Sequence, residues 1–279
     1  MSRLHIVHRT SFTYERPVTA SYNEARMRPV TFPGQRVLSS RLEATPSTWS
    51  QEYRDYWGTQ VDAFEALTPH ETLTVVAESR VERDAPRGDV VTCGWDALRA
   101  GALQDRMSEF LMLTPTTAPD ADLVELAQDS ASGREPHEAG VAICDALRAA
   151  VEYAPGATSV HTRAAEAWQA RTGVCQDIVH LAAGALRAVG IPARYVSGYL
   201  HPLAASTVGE VALGESHAWI ELWCGDWYAY DPTNRIGVGE HHVLVARGRE
   251  YRDVTPLRGV YAGGGASTQH VEVAITLEA

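Results

Sequence analysis

The spacing of apolar residues changes twice along the chain, and that change constrains the fold more than any single motif. Residues 3–14, RLHIVHRTSFTY, alternate apolar and polar steps and are rich in β-formers. Residues 36–44, RVLSSRLEA, and 71–82, ETLTVVAESRVE, alternate again. Between them, Tyr53–Gly58 and Val61–Phe64 have the pattern of a hairpin turning at Gly58. No helical period competes here, so residues 1–85 are expected to form an antiparallel β-sandwich of short strands. Ala85-Pro86-Arg87-Gly88-Asp89 has the composition of a linker, after which residues 86–279 are expected to form a second unit that keeps the C-terminal strand.

From about residue 120 the period becomes helical. Residues 120–128 carry Leu123, Leu126 and Ala127 at helical spacing, and 138–150 carry Val141, Ile143, Ala146 and Leu147. Residues 162–170 form a third helix with Thr162 as its expected N-cap. A fourth spans about Val174 to Val189, with Gly190 and Pro192 as its stop signal. Strands then return at 193–200, 216–224, 227–231, 243–245 and 271–277. The predicted class is α+β: a β-sandwich, then helices packed on a mostly antiparallel sheet.

Composition excludes several functions. Lys and Arg number 24 against 35 Asp and Glu, a formal charge of -11, which disfavours nucleic-acid or anionic-membrane partners. Four widely spaced cysteines, 93, 144, 175 and 224, do not form a disulfide framework or a zinc-knuckle pair. No apolar leader and no stretch of about 18 apolar residues occurs, so a cytoplasmic location is expected. Asp120-Ala121-Asp122 lacks the glycine and glutamate of a calcium loop, and Gly237-Val238-Gly239 lacks the third glycine of a dinucleotide fingerprint. No cofactor or metal is therefore expected.

Three residues stand where their chemistry can be tuned. Cys175 opens the fourth helix, whose amino-terminal N–H groups favour a thiolate. That effect is worth only about 0.3–1 kcal/mol, so a cationic partner has to supply more, and a histidine is the usual one. Asp177, two residues on, points to another side of the helix. Positions 175, 178, 182 and 185 also share a face, so Cys175 is equally well placed as a small core residue. His217 lies in SHAWIELW and Asp231 ends WYAYD before Pro232. On neighbouring strands, a carboxylate can fix the imidazole tautomer and stabilise the imidazolium. Each alone is equally consistent with a packed polar residue or a turn acid.

The segments around these residues resemble the transglutaminase-like superfamily. RTGVCQDIVHLAAGALRAVGIPARYVSGYL resembles its nucleophile segment, and SHAWIEL and YDPTN its histidine and aspartate segments. The likeness continues through YRDVTPLRG, as in the bacterial branch. HRTSFTYERPV, SYNEARMRP and QRVLSSRLEATP resemble the β-rich N-terminal domain that accompanies this core. The resemblance implies a papain-like core with Cys175 as nucleophile, His217 as base and Asp231 as orienting acid. It implies acyl transfer from protein or peptide amides, to water or to an amine. A binding or scaffold module that keeps the fold is the alternative, and a zinc hydrolase using Cys175, His217 and a further histidine is a third. Gln176, Tyr153 and Trp168 are the candidates for a second oxyanion donor. His161, His180, His241 and His242 are expected to be structural or surface residues.

Register adds a geometric condition. A two-residue loop at Gly225-Asp226 would put His217 and Asp231 on opposite faces of the sheet. The connection should therefore have an odd number of loop residues or contain a β-bulge; a three-residue loop, Cys224-Gly225-Asp226, sets Asp231 opposite Trp219 and diagonal to His217 on one face.

Overall fold

A computed structural model describes residues 1–85, 91–202, 207–214 and 216–279. All of the expected linker after Ala85 lies outside the described residues. The chain is α+β, as the apolar spacing predicts.

The strand Ser2–Ala25 organises the N-terminal part. Alternate residues Leu4, Ile6, His8 and Thr10 are buried, as a half-buried strand requires. Its first half runs between His70–Arg83 and Ser267–Leu277. Its second half runs between Gln60–Ala66 and Leu257–Gly263. The pairing with His70–Arg83 is interrupted between Thr13 and Val18, where the strand changes partners. The expected sandwich is thus one eight-stranded sheet folded over on itself, closing on Tyr14, Val18, Phe64, Leu73 and Val75. The hairpin turning at Gly58 is present, and the glycine adopts φ 80°.

The C-terminal strands depart from the expected division. Residues 257–277 complete the N-terminal sheet instead of joining the second unit. The first strand would otherwise leave one edge unpaired, and the alternating Val273, Ile275 and Leu277 bury their side chains there. Val211–Gly214 then pairs with that last strand and adds an edge to the same sheet.

In the second part the helices Ala121–Ala131, Pro136–Ala150, Ala164–Ala170 and Cys175–Ala188 share a core with a five-stranded antiparallel sheet. Its strand order is Ile236–Gly237, Trp227–Asp231, Ser216–Trp223, Ala193–Leu200, His242–Gly248. The third helix is capped one residue later than expected. The Glu166 carboxylate accepts the Arg163 backbone N–H at 2.9 Å, while the Thr162 hydroxyl accepts the Ser159 N–H at 3.0 Å. Among the described residues, no helix is long and apolar enough to cross a membrane.

The central strand Ser216–Trp223 separates two environments. Ala218, Ile220 and Leu222 join Ile178, Leu181, Ala182 and Ala185 of the fourth helix in the main core. Trp219, on the other face, packs with Val196 and Leu244. Gly198 makes room for that indole. A Cβ there would lie 2.1 Å from the Val243 carbonyl oxygen and 2.5 Å from the Trp219 ring. Gly101, by contrast, has open space around it. Gly198→Ala is expected to lower the urea midpoint by an overpacking cost of about 1–3 kcal/mol. Gly101→Ala is expected to be neutral or stabilising by up to about 1 kcal/mol. Equal midpoints for the two variants would show that Trp219 is not held against Gly198.

Candidate active site

Cys175 is half-buried and is the first residue of its helix. A short parallel pair, Glu152–Tyr153 with Thr172–Gly173, delivers the chain to that point. Asp177 then caps the helix. Its Oδ2 accepts the Val174 N–H at 2.8 Å and the Thr158 hydroxyl at 2.6 Å. Gly173 permits this approach, since a Cβ there would lie 2.7 Å from the Asp177 Cβ. The carboxylate nearest Cys175 in sequence is therefore committed to the helix end. Burial raises its pKa, while the hydrogen bonds from Thr158 and Val174 oppose that shift.

The hairpin has the three-residue loop. Ile220 faces Tyr230, Glu221 faces Ala229 and Trp223 faces Trp227. Continuing that register sets Asp231 across from Trp219, on the face that carries His217. Gly225 in the loop adopts φ 125°, a backbone state that favours glycine. The expected contact follows: His217 Nε2 donates to Asp231 Oδ2 at 2.8 Å. This leaves Nδ1 free of Asp231, and Cys175 is a near enough neighbour of the imidazole to help raise its pKa.

Asp231 is fully buried. Its Oδ1 accepts the backbone N–H groups of Thr233 and Asn234 at 3.0 and 3.2 Å. Its Oδ2 also accepts the Asn234 side-chain amide at 2.7 Å. Burial alone would raise its pKa, but the hydrogen bonds from His217 and His242 hold it well below the usual carboxylate range. For His217 burial works downward, but Asp231 and Cys175 outweigh it and raise the pKa to about 10. The balance of these effects favours the protonated imidazole between Asp231 and Cys175.

His242 was not singled out by the sequence. Its Nε2 lies 3.2 Å from Asp231 Oδ2, and its Nδ1 accepts the Gly239 N–H at 3.3 Å. No spacing rule reveals this, because the segment that follows Asp231 returns to the carboxylate only in three dimensions. His217, Asp231 and His242 offer three ligand atoms within 4.8 Å of one another. The 2.8 and 3.2 Å separations from the carboxylate oxygen are those of hydrogen bonds.

The other histidines have other settings. His180 is buried and accepts the Tyr251 N–H at 3.0 Å, with its pKa pushed down to about 3 by burial. His161 is exposed, and the ring of His241 stacks on that of His201. Of the oxyanion candidates, Trp168 is committed elsewhere, donating its indole N–H to Asp122 at 2.8 Å. Gln176 follows Cys175 directly, and Tyr153 pairs with Gly173, two residues before it.

Comparison with known proteins identifies the family and the fold. The profile of the transglutaminase-like superfamily matches residues 124–232, and that of the bacterial transglutaminase-like N-terminal region matches residues 4–82. An uncharacterised protein of Mycobacterium leprae is 43% identical over 276 residues, covering 99% of both chains. One from Mycobacterium tuberculosis is 32% identical, covering 92% of this chain and 87% of its own. A protein-glutamine gamma-glutamyltransferase of Pseudomonas aeruginosa is 39% identical over 72 residues, 24% of this chain and 10% of that one. The crystal structure of a candidate cysteine protease from Cytophaga hutchinsonii has the same fold. It superposes with a TM-score of 0.75 over 99% of this chain and 97% of its own, at 21% identity.

The raised pKa of His217 has a consequence for stability. Its contribution is complete below the ordinary histidine value of about 6.5 and is lost as pH rises through about 10. The unfolding free-energy difference between the wild type and His217→Gln should therefore be flat from about pH 5 to 6 and shrink toward pH 10. A difference that grows with pH would mean that His217 is neutral in the folded protein.

Proposed function

The chain belongs to the transglutaminase-like superfamily, and from that premise we propose that it is a cysteine acyl-transfer enzyme acting on protein or peptide amides. One observation carries the reading: the His217 imidazole bonds Asp231 at 2.8 Å through Nε2 and has Cys175 as a neighbour that helps raise its pKa. A packed core cysteine needs neither a histidine nor a buried carboxylate behind that histidine.

In the proposed first step the Cys175 thiolate attacks the amide carbonyl carbon. The oxygen becomes an oxyanion beside the first amides of the helix, which lack intrahelical partners. The carbon–nitrogen bond then breaks, and the His217 imidazolium gives its proton to the departing amine. This leaves a thioester and a neutral His217. In the second step His217 takes a proton from the incoming water or amine as it attacks the thioester carbon; the carbon–sulfur bond then breaks, restoring the Cys175 thiolate and the His217 imidazolium. Water makes the reaction a hydrolysis; an amine makes it a transfer. Asp231, held ionised by its donors, stabilises the imidazolium and fixes the ring. The alternative, a binding module without chemistry, gives no reason to place a buried carboxylate, an imidazolium and a thiol in one line.

The other thiols provide an internal control. Burial raises the pKa of Cys93 and Cys144, and pushes that of Cys224 up to about 12. Incubation with iodoacetamide near neutral pH should add one label, at Cys175, by intact mass and peptide mapping. Labelling should fall by at least about tenfold in His217→Ala, since the imidazolium is the main partner of the thiolate. Cys175→Ser should fold normally and lose amide turnover, because a hydroxyl cannot form the same ion pair. Labelling unaffected by His217→Ala, or substantial turnover by Cys175→Ser, would sink the proposal.

A further inference from the structure

Asp231 is approached by two histidines, and only one of them faces the sulfur. His242 begins the strand His242–Gly248 and is buried. Its ring is fixed on three sides. The Trp219 indole packs against it edge-on, with centroids 5.3 Å apart. Gly239 donates its backbone N–H to Nδ1 at 3.3 Å. Nε2 lies 3.2 Å from Asp231 Oδ2.

These contacts determine where the proton sits. A backbone N–H can only donate, so Nδ1 must present its lone pair, and the single proton of a neutral ring is then on Nε2, aimed at the carboxylate. A protonated ring would set two N–H groups against each other at Gly239. The titratable groups facing the ring are Asp231, His217 beyond that carboxylate, and the guanidinium of Arg83. Burial lowers the pKa of His242, and the two cations add to this; Asp231 opposes them without reversing the result. His217 differs because its second nitrogen meets a thiol instead of a backbone N–H.

We propose that His242 is a positioning residue for the Cys175–His217–Asp231 site: a neutral imidazole that holds Asp231 Oδ2 toward His217 and takes up part of the carboxylate's charge. The proposal rests on the catalytic reading above. A carboxylate shared between two N–H donors is a weaker base toward either one. The second histidine thus keeps Asp231 ionised and keeps His217 able to release its proton. Asn234, donating at 2.7 Å, completes the set on the same oxygen.

The test uses the full-length protein and the pH dependence of Cys175 alkylation by iodoacetamide, which needs no known substrate. His242→Phe keeps a ring against Trp219 but has no donor, and His242→Gln keeps a donor. In the wild type the alkaline step of the profile marks the loss of the His217 proton. In His242→Phe that step should move up by about one pH unit, the size expected for losing a hydrogen bond to a charged group. In His242→Gln it should return most of the way. An unchanged or lowered step in His242→Phe overturns the proposal, since packing alone would not move a titration upward. If His242→Phe does not fold, imidazole nitrogen shifts of the wild type decide. His242 should be neutral at pH 7 with its proton on Nε2, and a ring protonated on Nδ1 overturns the proposal. His217→Ala, run alongside, separates the two levels: labelling that ignores His217 rejects the catalytic reading itself.

Discussion

A carboxylate with no contact to solvent, Asp231, is the constraint around which the second half of the molecule is arranged. Withdrawing such a charge from water costs several kcal/mol unless donors replace the hydration. Five hydrogen bonds do so here, from Thr233, Asn234 by backbone and side chain, His217 and His242. They come from three places: the turn after Asp231, the neighbouring strand and the returning segment. The register of the hairpin decides whether this is possible. A slip of one residue would turn Asp231 toward the face where Ala218, Ile220 and Leu222 meet the helix, an apolar surface. The three-residue loop and the positive φ of Gly225 thus belong to the same requirement as the chemistry.

The face that carries His217 and Asp231 is itself covered, and the N-terminal part does the covering. Glu221, two positions beyond Trp219, is buried between Arg194 and Arg247. Arg194 lies over Trp227, and Arg247 lies over Phe32 of the N-terminal part. Gln35, also from that part, bonds both the N–H and the carbonyl of Leu244, each at 2.8 Å. Leu244 is two residues from His242 on the same strand, so these bonds fix the strand that supplies the second histidine. The folded-over sheet is therefore part of the site's support.

Much of this was legible in the sequence, for reasons that can be named. The change of apolar spacing marked strands, helices and strands because each element buries one face. The Cys175 helix was clear because its apolar face, its glycine stop and its following proline agree. The parity argument worked because pairing in a hairpin is local and side chains alternate strictly. What failed was long-range. His242 carries no local mark, and its partner is chosen by how the chain returns after Asp231. The last strand alternates as a strand should, but nothing in that alternation says which sheet it joins. Thr162 is a better intrinsic N-cap than Arg163, yet the reciprocal bond from Glu166 moved the helix start by one residue.

The position of His217 within its strand explains how the two faces of one sheet cooperate. The helix that begins at Cys175 lies against the face of Ala218, Ile220 and Leu222, whereas Asp231 and Trp219 belong to the other face. A side chain in the middle of the strand touches one face only, and Trp219 is such a residue: its indole is enclosed by Val196, Leu244 and His242. His217 is the second residue of Ser216–Trp223, where the sheet ends. From there an imidazole can bond a carboxylate on the far face through one nitrogen and reach past the sheet's end with the other, to the first residue of the helix. A histidine two residues further on would have the same face and the same partner strand, and would be shut off from the sulfur by the strand itself. Cys175 at the first position of its helix satisfies the matching condition, since it is the residue of that helix that neighbours the His217 imidazole.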